Sequence, residues 1–183
     1  MRIIAGRFRG RRLVAPKGMS TRPTTDRTRE SLFNILSNLV DFEGLRVLDL
    51  FAGTGALGLE SISRGAAHAL FVDSDSPACA AIRINIEALR IAEKAHILKE
   101  DATRLGPPSN KQRYDVVFAD PPYGMGFGER VAERLVKSAW LKRDGLFVLE
   151  EHASQFPQTV NAFDLIDKRQ FRDTTIGMFQ LKS

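Results

Sequence analysis

The stretch "LRVLDLFAGTGALG", residues 45–58, decides the fold because it joins a short apolar run to a glycine-rich turn and then to a longer run of apolar residues. Its first half is rich in leucine and valine, as is typical of a buried parallel strand. Gly53 and Gly55 allow a tight turn whose backbone can approach a ligand, and Gly58 suits a helix packed close to the strand. The stretch therefore predicts a strand, a ligand-facing turn and a helix, the first unit of a doubly wound sheet.

The rest of the chain continues this alternation of short apolar runs with longer helical ones. The predicted strands are "HALFVD", "AHILKED", "YDVVFAD" and "GLFVLEE", and the predicted helices include "SPACAAIRINIEALRIA" and "ERVAERLVKSAWL". Strands that alternate with helices pair in parallel through right-handed crossovers. The last two runs, "FDLIDKRQF" and "TTIGMFQL", have just a turn between them. We therefore expect an α/β fold: a Rossmann-like, doubly wound, mostly parallel seven-stranded sheet with a C-terminal antiparallel pair.

The length of 183 residues predicts a single domain. We divide it into a basic N-terminal arm, residues 1–22, and a cofactor-binding catalytic core, residues 23–183. No run approaches the roughly 20 apolar residues of a membrane span, and the N-terminal sequence lacks the apolar core of a secretory signal. The single cysteine, Cys79, cannot form a disulfide framework. These features favour a cytoplasmic protein with no membrane association.

The positive charge of the chain is concentrated in its first 30 residues. Nine basic and two acidic side chains give this segment a net charge of +7, whereas the remaining 18 basic and 20 acidic groups give −2. Arginine displaces counterions from phosphates and forks onto them, so the segment suits an RNA partner through Arg7, Arg9, Arg11 and Arg12. A mobile basic tail is the alternative. The pairs Ile3-Ile4 and Leu13-Val14 flank "GRFRGRR" like two short strands, which predicts a small β-hairpin.

Acidic residues follow the predicted strands, where doubly wound sheets bind their ligands. Asp73 lies twenty positions after Gly53, where a carboxylate can accept both ribose hydroxyls of an adenosine. Gly53, Gly55 and Gly58 also satisfy the weak GxGxxG pattern. These residues suit nicotinamide dinucleotides and S-adenosylmethionine equally.

Two further acids separate these cofactors. Asp49, two residues before the turn begins, would repel a pyrophosphate but attract an ammonium group. Asp101 is placed to accept from an adenine amine, with the backbone N–H of Ala102 donating to the ring. An adenosine joined to an amino acid fits best. The alternatives are a capping role for Asp101 and a loop-stabilising role for Asp49.

The segment "FADPPYG", residues 118–124, ends the fourth predicted strand with one acid and two prolines. Exocyclic amines of nucleobases are poor nucleophiles, so a site that methylates them needs acceptors aimed at their N–H bonds. Asp120 supplies a side-chain acceptor, and Pro121 and Pro122 form a rigid turn that presents a carbonyl without a competing donor. Tyr123 supplies a face on which a base can stack. The alternative is a strand terminator followed by a turn.

The motifs "DLFAGTGALG", "FVDSD", "EDA" and "FADPPY" together resemble those of class I S-adenosylmethionine-dependent methyltransferases that act on exocyclic amines. The segments "RIIAGRFRGRRL" and "RPTTDRTRESLFN" are similar to the RsmD-type enzymes, which methylate guanine N2 in 16S ribosomal RNA.

The resemblance implies a role for each matched residue. The cofactor would be bound by Asp49, Phe51, Gly53, Gly55, Asp73, Asp101 and Ala102. The target base would face Asp120, Pro121, Pro122 and Tyr123. The arm would bind RNA, with Arg22 and Thr24 beside the catalytic pocket. Because the family's ribose acid is often glutamate, both Asp73 and the nearby Asp75 are candidates for the ribose.

The expected activity is transfer of a methyl group from S-adenosylmethionine to guanine N2 of 16S rRNA, in a 30S subunit or an assembly intermediate. No metal is expected, because His68, His96 and His152 have no partners at ligand spacing in the sequence. The alternatives are an adenine-N6 methyltransferase acting on RNA or DNA, and a nonenzymatic RNA-binding assembly protein. A nicotinamide oxidoreductase is a further one, but it would leave the two prolines and Tyr123 without a purpose.

Overall fold

The structure, a computed structural model, describes residues 1–16, 26–109 and 112–182. Its helices are α1 Asp26–Leu36, α2 Ala56–Ser63, α3 Ser76–Leu89 and α4 Phe127–Lys137, with a 3-10 turn at Ala102–Arg104. Its strands are β1 Arg46–Leu50, β2 His68–Val72, β3 Ala95–Leu98, β4 Tyr114–Ala119, β5 Leu141–His152, β6 Phe163–Phe171 and β7 Thr174–Leu181. Within these ranges, no helix is long and apolar enough to cross a membrane.

The seven strands form one sheet in the order β3-β2-β1-β4-β5-β7-β6. The first five strands in this order run parallel, and β7 pairs antiparallel with both β5 and β6. The predicted fold class is confirmed, including the C-terminal antiparallel pair. The main difference is β5, which begins at Leu141 instead of the predicted Gly145 because Leu141 already pairs with Tyr114 across a register shift.

Alternate side chains of the strands pack into two apolar layers, one on each face of the sheet. On one face, Phe71 and Phe118 pack with α1, α2 and α3. On the other face, Leu48 and Phe147 pack with α4. Because both faces are covered, β1, β2 and β4 read as nearly continuous apolar runs in the sequence.

The chain reverses its direction across the sheet between β1 and β4, which are neighbours. After β1 it moves outward through β2 to β3, and then it returns to β4 on the other side of β1. Leu50 pairs in register with both Val72 and Ala119, and Val72 pairs with Leu98. Four parallel strands therefore end at one edge of the sheet, at the switch point where such folds bind ligands.

The N-terminal residues form a short hairpin that packs against α2. Arg2 and Arg12 make an antiparallel bridge, the N–H of Ile3 donates to the carbonyl of Arg11 at 2.9 Å, and Ile3 and Leu13 are buried. The predicted hairpin is thus present in a shortened form, because the backbone of Ile4 turns away to bond to α2. Lys17 to Thr25 lie outside the described residues.

Candidate active site

The loops that follow β3, β2, β1 and β4 line the carboxyl edge of the sheet in that order. Phe51, Asp73 and Asp120 each come directly after a strand, and Asp101 comes three residues after β3 ends. Since neighbouring strands lie about 4.8 Å apart, this row of four loops spans roughly 15 Å. The structure therefore brings together the residues predicted to bind the cofactor and those predicted to face the base.

Asp73 ties the loop after β1 to the loop after β2. Its Oδ2 accepts from the N–H of Gly53 at 2.8 Å, and its Oδ1 accepts from the N–H of Asp75 at 2.9 Å. A carboxylate has about four acceptor positions, so these bonds orient Asp73 without exhausting it. Asp75 caps α3 by accepting from the N–H of Ala78 at 3.1 Å. Phe51, at the start of the first loop, has a φ of 56°, a strained conformation for a residue with a side chain.

Asp49 joins β1 to the first turn of α2. It is 2% exposed, and its Oδ2 accepts from the N–H of Gly58 at 2.9 Å. Burial raises the pKa of Asp49 from 3.8 to about 7, with the negative charge of Asp73 adding to the rise and the Gly58 hydrogen bond opposing it. A Cβ at Gly58 would lie 2.4 Å from Cε1 of Phe71, so this position requires glycine. The loop-stabilising role weighed for Asp49 is therefore present.

Asp101 caps the 3-10 turn through one of its oxygens. Its Oδ1 accepts from the N–H of Thr103 at 2.8 Å and from Oγ1 of Thr103 at 2.7 Å. The side-chain bond from Thr103 is the main reason that the pKa of Asp101 is lowered. Its Oδ2 lies 3.6 Å from Nε of the exposed Arg104. The capping role weighed for Asp101 is observed, and Ala102 is buried beside it.

The loop after β4 holds Tyr123 by its hydroxyl. The hydroxyl donates to Oε1 of Glu150 at 3.2 Å and lies 3.0 Å from Oγ1 of Thr174. Burial is the main cause that raises the pKa of Tyr123 to about 12, so the hydroxyl stays protonated at neutral pH. The rings of Tyr123 and His152 also make a T-shaped contact, with centroids 5.7 Å apart. Asp120 is half-buried at the start of this loop.

The two prolines of this loop differ in their surroundings, since Pro121 is buried and Pro122 is exposed. A second aromatic pair lies at the same edge of the sheet, after β1 and at the start of α4. Phe127, the first residue of α4, stacks on Phe51 with ring centroids 5.8 Å apart and planes 17° apart. Phe127 was not among the site residues predicted from the sequence. The signal available was an aromatic residue inside the glycine-rich stretch after Tyr123.

The basic arm is fixed along α2 and is not a mobile tail over residues 1–16. The carboxylate of Glu60, which is fully buried, accepts from the N–H of Ile4 at 2.7 Å and from the N–H of Ala5 at 3.0 Å. The N–H of Arg7 donates to the carbonyl of Ser63 at 2.7 Å. The four predicted RNA-binding arginines of the arm are all exposed: Arg7, Arg9, Arg11 and Arg12. The other two predicted residues, Arg22 and Thr24, lie outside the described residues.

Asn85 of α3 connects the arm to the glycine turn. It is 1% exposed, its Oδ1 accepts from the N–H of Val14 at 2.8 Å, and its Nδ2 donates to the carbonyl of Val14 at 3.0 Å. The same Nδ2 donates to the carbonyl of Thr54, inside the turn, at 3.1 Å. The arm and the candidate cofactor loop thus share one buried side chain, which has no signature in the sequence.

The three histidines do not lie together: His152, at the end of β5, contacts the ring of Tyr123, and the other two lie on β2 and β3. His68 and His96 sit on β2 and β3 with ring centroids 5.0 Å apart, and burial lowers the pKa of His68 to about 4. Among residues 1–16, 26–109 and 112–182, no group of three or more His, Cys, Asp or Glu side chains could hold a metal ion.

Comparison with known proteins finds relatives along nearly the whole chain. A family model described as "Conserved hypothetical protein 95" matches residues 1–180. The Bacillus subtilis (strain 168) protein named "Putative rRNA methyltransferase YlbH" is 35% identical over 183 residues, covering 98% of each chain. "Ribosomal RNA small subunit methyltransferase D" of Escherichia coli (strain K12) is 37% identical over 166 residues, covering 88% of this chain and 80% of the relative. The solved structure "Putative methyltransferase yhhF from Escherichia coli" matches with a TM-score of 0.84 at 32% identity, covering 100% of this chain and 98% of that one.

Proposed function

The chain belongs to the family described as conserved hypothetical protein 95, and we propose that it methylates the exocyclic N2 amine of a specific guanine in 16S ribosomal RNA. The coarser activity, S-adenosylmethionine-dependent methylation of ribosomal RNA, follows from relatives that are named ribosomal RNA methyltransferases. The loop after β4 supports an exocyclic amine as the acceptor, and the choice of guanine over adenine rests on the arginine-rich arm and on the segment "RPTTDRTRESLFN".

S-adenosylmethionine is the cofactor, and it supplies an activated methyl group on a sulfonium. The order of the loops along the carboxyl edge supports this assignment. Asp101 and Ala102 follow β3 and would meet the adenine, and Asp73 follows β2 and would bind the ribose hydroxyls. Asp73 is favoured over Asp75, because Asp73 directly follows β2 and bonds to Gly53 in the loop after β1, whereas Asp75 is directed to the first turn of α3. The next loop, after β1, would take the amino-acid part of the cofactor.

Asp49, Phe51, Gly53 and Gly55 would line that amino-acid part. A buried carboxylate such as Asp49 ionises readily when a cation lies beside it, and the cofactor's ammonium group would supply that cation. Gly53 has a φ of 55°, and a Cβ built on it would have no neighbour closer than 3.9 Å, so its surroundings are open. The backbone there is accessible to a ligand.

The residues after β4 would receive the target base. The carboxylate of Asp120 and the carbonyl of Pro121 would accept from the two N–H bonds of the guanine amine and favour a pyramidal nitrogen. The bound cofactor would supply the methyl group and leave as S-adenosylhomocysteine, and the carboxylate of Asp120 would stabilise the positive charge of the methylated amine. The proton of that amine is then lost to Asp120 or to water. Tyr123, held by its hydroxyl, would stack on the base.

A single observation carries the proposal. The acids and aromatic residues at the ends of β3, β2, β1 and β4 lie in the same order as adenine, ribose, methyl donor and methyl acceptor. An oxidoreductase would need a phosphate-binding turn after β1, but the buried carboxylate of Asp49, in β1, bonds to the first turn of the helix that follows and would repel a phosphate there.

The arm, residues 1–22, would extend from the catalytic core, residues 23–183. It would bind the phosphates of the RNA. The exposed arginines of the arm and their fixed backbone support this role. The substrate is 16S rRNA within a 30S subunit or an assembly intermediate, and the protein acts in the cytoplasm.

Two variants test the division of roles along the edge. Asp73→Ala should weaken binding of S-adenosylhomocysteine, measured by calorimetry, and thereby slow methyl transfer. Asp120→Ala should bind S-adenosylhomocysteine like the unchanged protein and yet lose methyl transfer by about 100-fold or more, as expected for loss of a group that acts in the transition state. Asp144→Ala removes an exposed carboxylate from the opposite edge and serves as the control. Full activity of the Asp120→Ala protein would refute the role given to this residue.

A further inference from the structure

A cleft separates the basic arm from the C-terminal end of α3. It has a volume of about 360 Å³ and is lined by Phe8, Arg11, Ala88, Leu89 and Arg90. A neighbouring cleft of about 390 Å³ shares Phe8 and Arg90. Sites for small ligands begin at about 300 Å³, so either space can hold one nucleotide. We call the space lined by the first five residues the arm cleft.

We propose that the arm cleft binds an unpaired nucleotide of the RNA substrate, at a distance from the methylated base. The proposal rests on the proposed function, since it assumes an RNA substrate. It adds Phe8 and Arg90 to the residues that recognise the RNA, and it gives the arm a base-binding role besides its contacts with phosphates.

Hydrogen bonds to the backbone fix both walls of the cleft. The N–H of Phe8 donates to Oγ of Ser63 at 2.9 Å, and the same Oγ donates to the carbonyl of Ala5 at 2.5 Å. On the other wall, Arg90 ends α3 in a left-handed conformation with a φ of 55°, and its N–H bonds to carbonyls of the last helical turn. Because both walls are already in place, the cleft loses little conformational entropy when a ligand binds.

The chemistry of the lining matches a nucleotide. Phe8 offers a half-exposed aromatic ring, and the guanidinium carbon of Arg7 lies 5.3 Å from the centre of that ring. Arg11 and Arg90 are exposed on either side. Unpaired bases stack on aromatic rings and on arginine planes, and their phosphates pair with guanidinium groups. The neighbouring cleft has acidic as well as basic lining residues, including Glu93 and Lys94, whereas the described residues that line the arm cleft include basic ones and no acidic ones.

The position of the cleft separates its role from that of the active site. The tip of the arm contacts Ser63, the last residue of α2, whereas the glycine turn leads into the first residue of the same helix. Eight residues of helix span about 12 Å, so the two sites lie at opposite ends of α2. A nucleotide in the arm cleft therefore contributes to RNA affinity and does not touch the reacting amine.

The test measures RNA affinity for Phe8→Leu and Arg90→Gln. Leucine at position 8 keeps the apolar contact with the core but removes the aromatic face. Arg90→Gln changes an exposed side chain and therefore leaves the core intact. The control is Arg143→Gln, which neutralises an exposed arginine near the start of β5. The probes are full-length 16S rRNA, a fluorescent ten-nucleotide single-stranded RNA and the matching duplex.

We expect Phe8→Leu to weaken binding of 16S rRNA and of the single strand by about tenfold, the effect of losing one base–aromatic stack. Arg90→Gln should weaken binding several-fold and reduce the slope of log affinity against log salt by about 0.7 to 0.9. The effect on methylation should be confined to the KM for RNA, and a 4-thiouridine probe should cross-link to the peptide that contains Phe8.

Binding of both Phe8→Leu and Arg90→Gln within twofold of the unchanged protein would overturn the proposal. Equal losses for the duplex and the single strand in Phe8→Leu would also overturn it, because they would indicate contacts to phosphates alone. These failures differ from failure of the proposed function. In that case the unchanged protein itself would form no labelled N2-methylguanosine, whatever the variants bind.

Discussion

The hydroxyl of Tyr123 lies 3.0 Å from Oγ1 of Thr174, a residue of β7 that is two strands away from β4 in the sheet. This contact fixes the ring of Tyr123, three residues after Asp120, through its hydroxyl. The loop after β4 is therefore held from both sides, by the strand that precedes it and by the antiparallel part of the sheet. A base stacked on Tyr123 would meet a surface whose position is already set.

Removal of the Tyr123 hydroxyl should lower activity even though the aromatic ring remains. Tyr123→Phe keeps the ring but loses both hydroxyl contacts, and we expect kcat/KM for RNA to fall about tenfold. Tyr123→Ala should lose a further factor of about 5 to 100, as the stacking contribution disappears. Single-turnover methylation under limiting RNA measures both values.

A double-mutant cycle isolates the contact itself. Thr174→Val should also lower kcat/KM, and the double variant Tyr123→Phe/Thr174→Val should lose less than the product of the two single losses. Losses that multiply independently would show that Thr174 does not position Tyr123.

The buried carboxylate of Asp49 should make stability depend on pH. Its pKa is raised from 3.8 to about 7 in the folded protein. Between these values the folded state keeps a proton that the unfolded state releases, so the contribution of Asp49 to stability is present below 3.8 and is lost as pH rises to about 7. Urea unfolding across this window should show a smaller decline in stability for Asp49→Asn than for the unchanged protein. An identical decline in both would contradict the assignment.

The same residue should link cofactor affinity to pH in the opposite direction. The ammonium group of S-adenosylhomocysteine would favour ionised Asp49, so binding below pH 7 releases a proton. We expect affinity to rise by up to about tenfold per pH unit as pH approaches 7, and to level off above it. Calorimetry in buffers of different ionisation enthalpy counts the released protons. Asp49→Asn should bind more weakly, with no such release.

Glu60 should control the attachment of the arm. Glu60→Ala leaves the N–H groups of Ile4 and Ala5 and the guanidinium of Arg64 without their acceptor. Loss of one partner from a buried, charged hydrogen-bond network costs about 3 to 5 kcal/mol of unfolding free energy. Urea unfolding measures this loss, and limited trypsin digestion should cut the arm faster. Glu87→Ala, on the exposed side of α3, is the control, and equal behaviour of the two variants would contradict the prediction.

Asn85 should couple RNA binding to cofactor binding, because its amide joins Val14 of the arm to Thr54 of the glycine turn. Coupling between two sites is reciprocal, so 16S rRNA should change the affinity for S-adenosylhomocysteine by the same factor by which S-adenosylhomocysteine changes the affinity for 16S rRNA. In Asn85→Leu this factor should fall towards one. A factor that is unchanged in a folded Asn85→Leu protein would refute the coupling.

The fold and the row of acids were accessible from the sequence because both depend on local pattern. Buried parallel strands are continuous apolar runs, and parallel strands end at a common edge, so acids that follow them must converge. Asp73 and Asp120 were placed at this edge by this reasoning, and Asp73 also by its spacing of twenty positions from Gly53. The local caps at Asp49 and Asp101 were weighed beforehand, since they join residues that are close in the chain.

The anchors of the site could not be predicted because they join distant residues. Tyr123 and Thr174 are 51 positions apart, and Ile4 and Glu60 are 56 apart. A buried glutamate in the middle of α2 has no sequence signature that names its partner. The arm was predicted as a hairpin from its own residues. Its actual conformation depends on α2, which offers carboxylate and hydroxyl acceptors to the arm's backbone.

The most direct test of the central claim is the identity of the methylated nucleoside. The protein is incubated with methyl-labelled S-adenosylmethionine and 16S rRNA, either free or in 30S particles, and the RNA is digested to nucleosides and analysed by chromatography and mass spectrometry. The proposed function predicts labelled N2-methylguanosine at one position, absent with Asp120→Ala. Labelled N6-methyladenosine, or no labelled nucleoside with either form of the RNA, would contradict it.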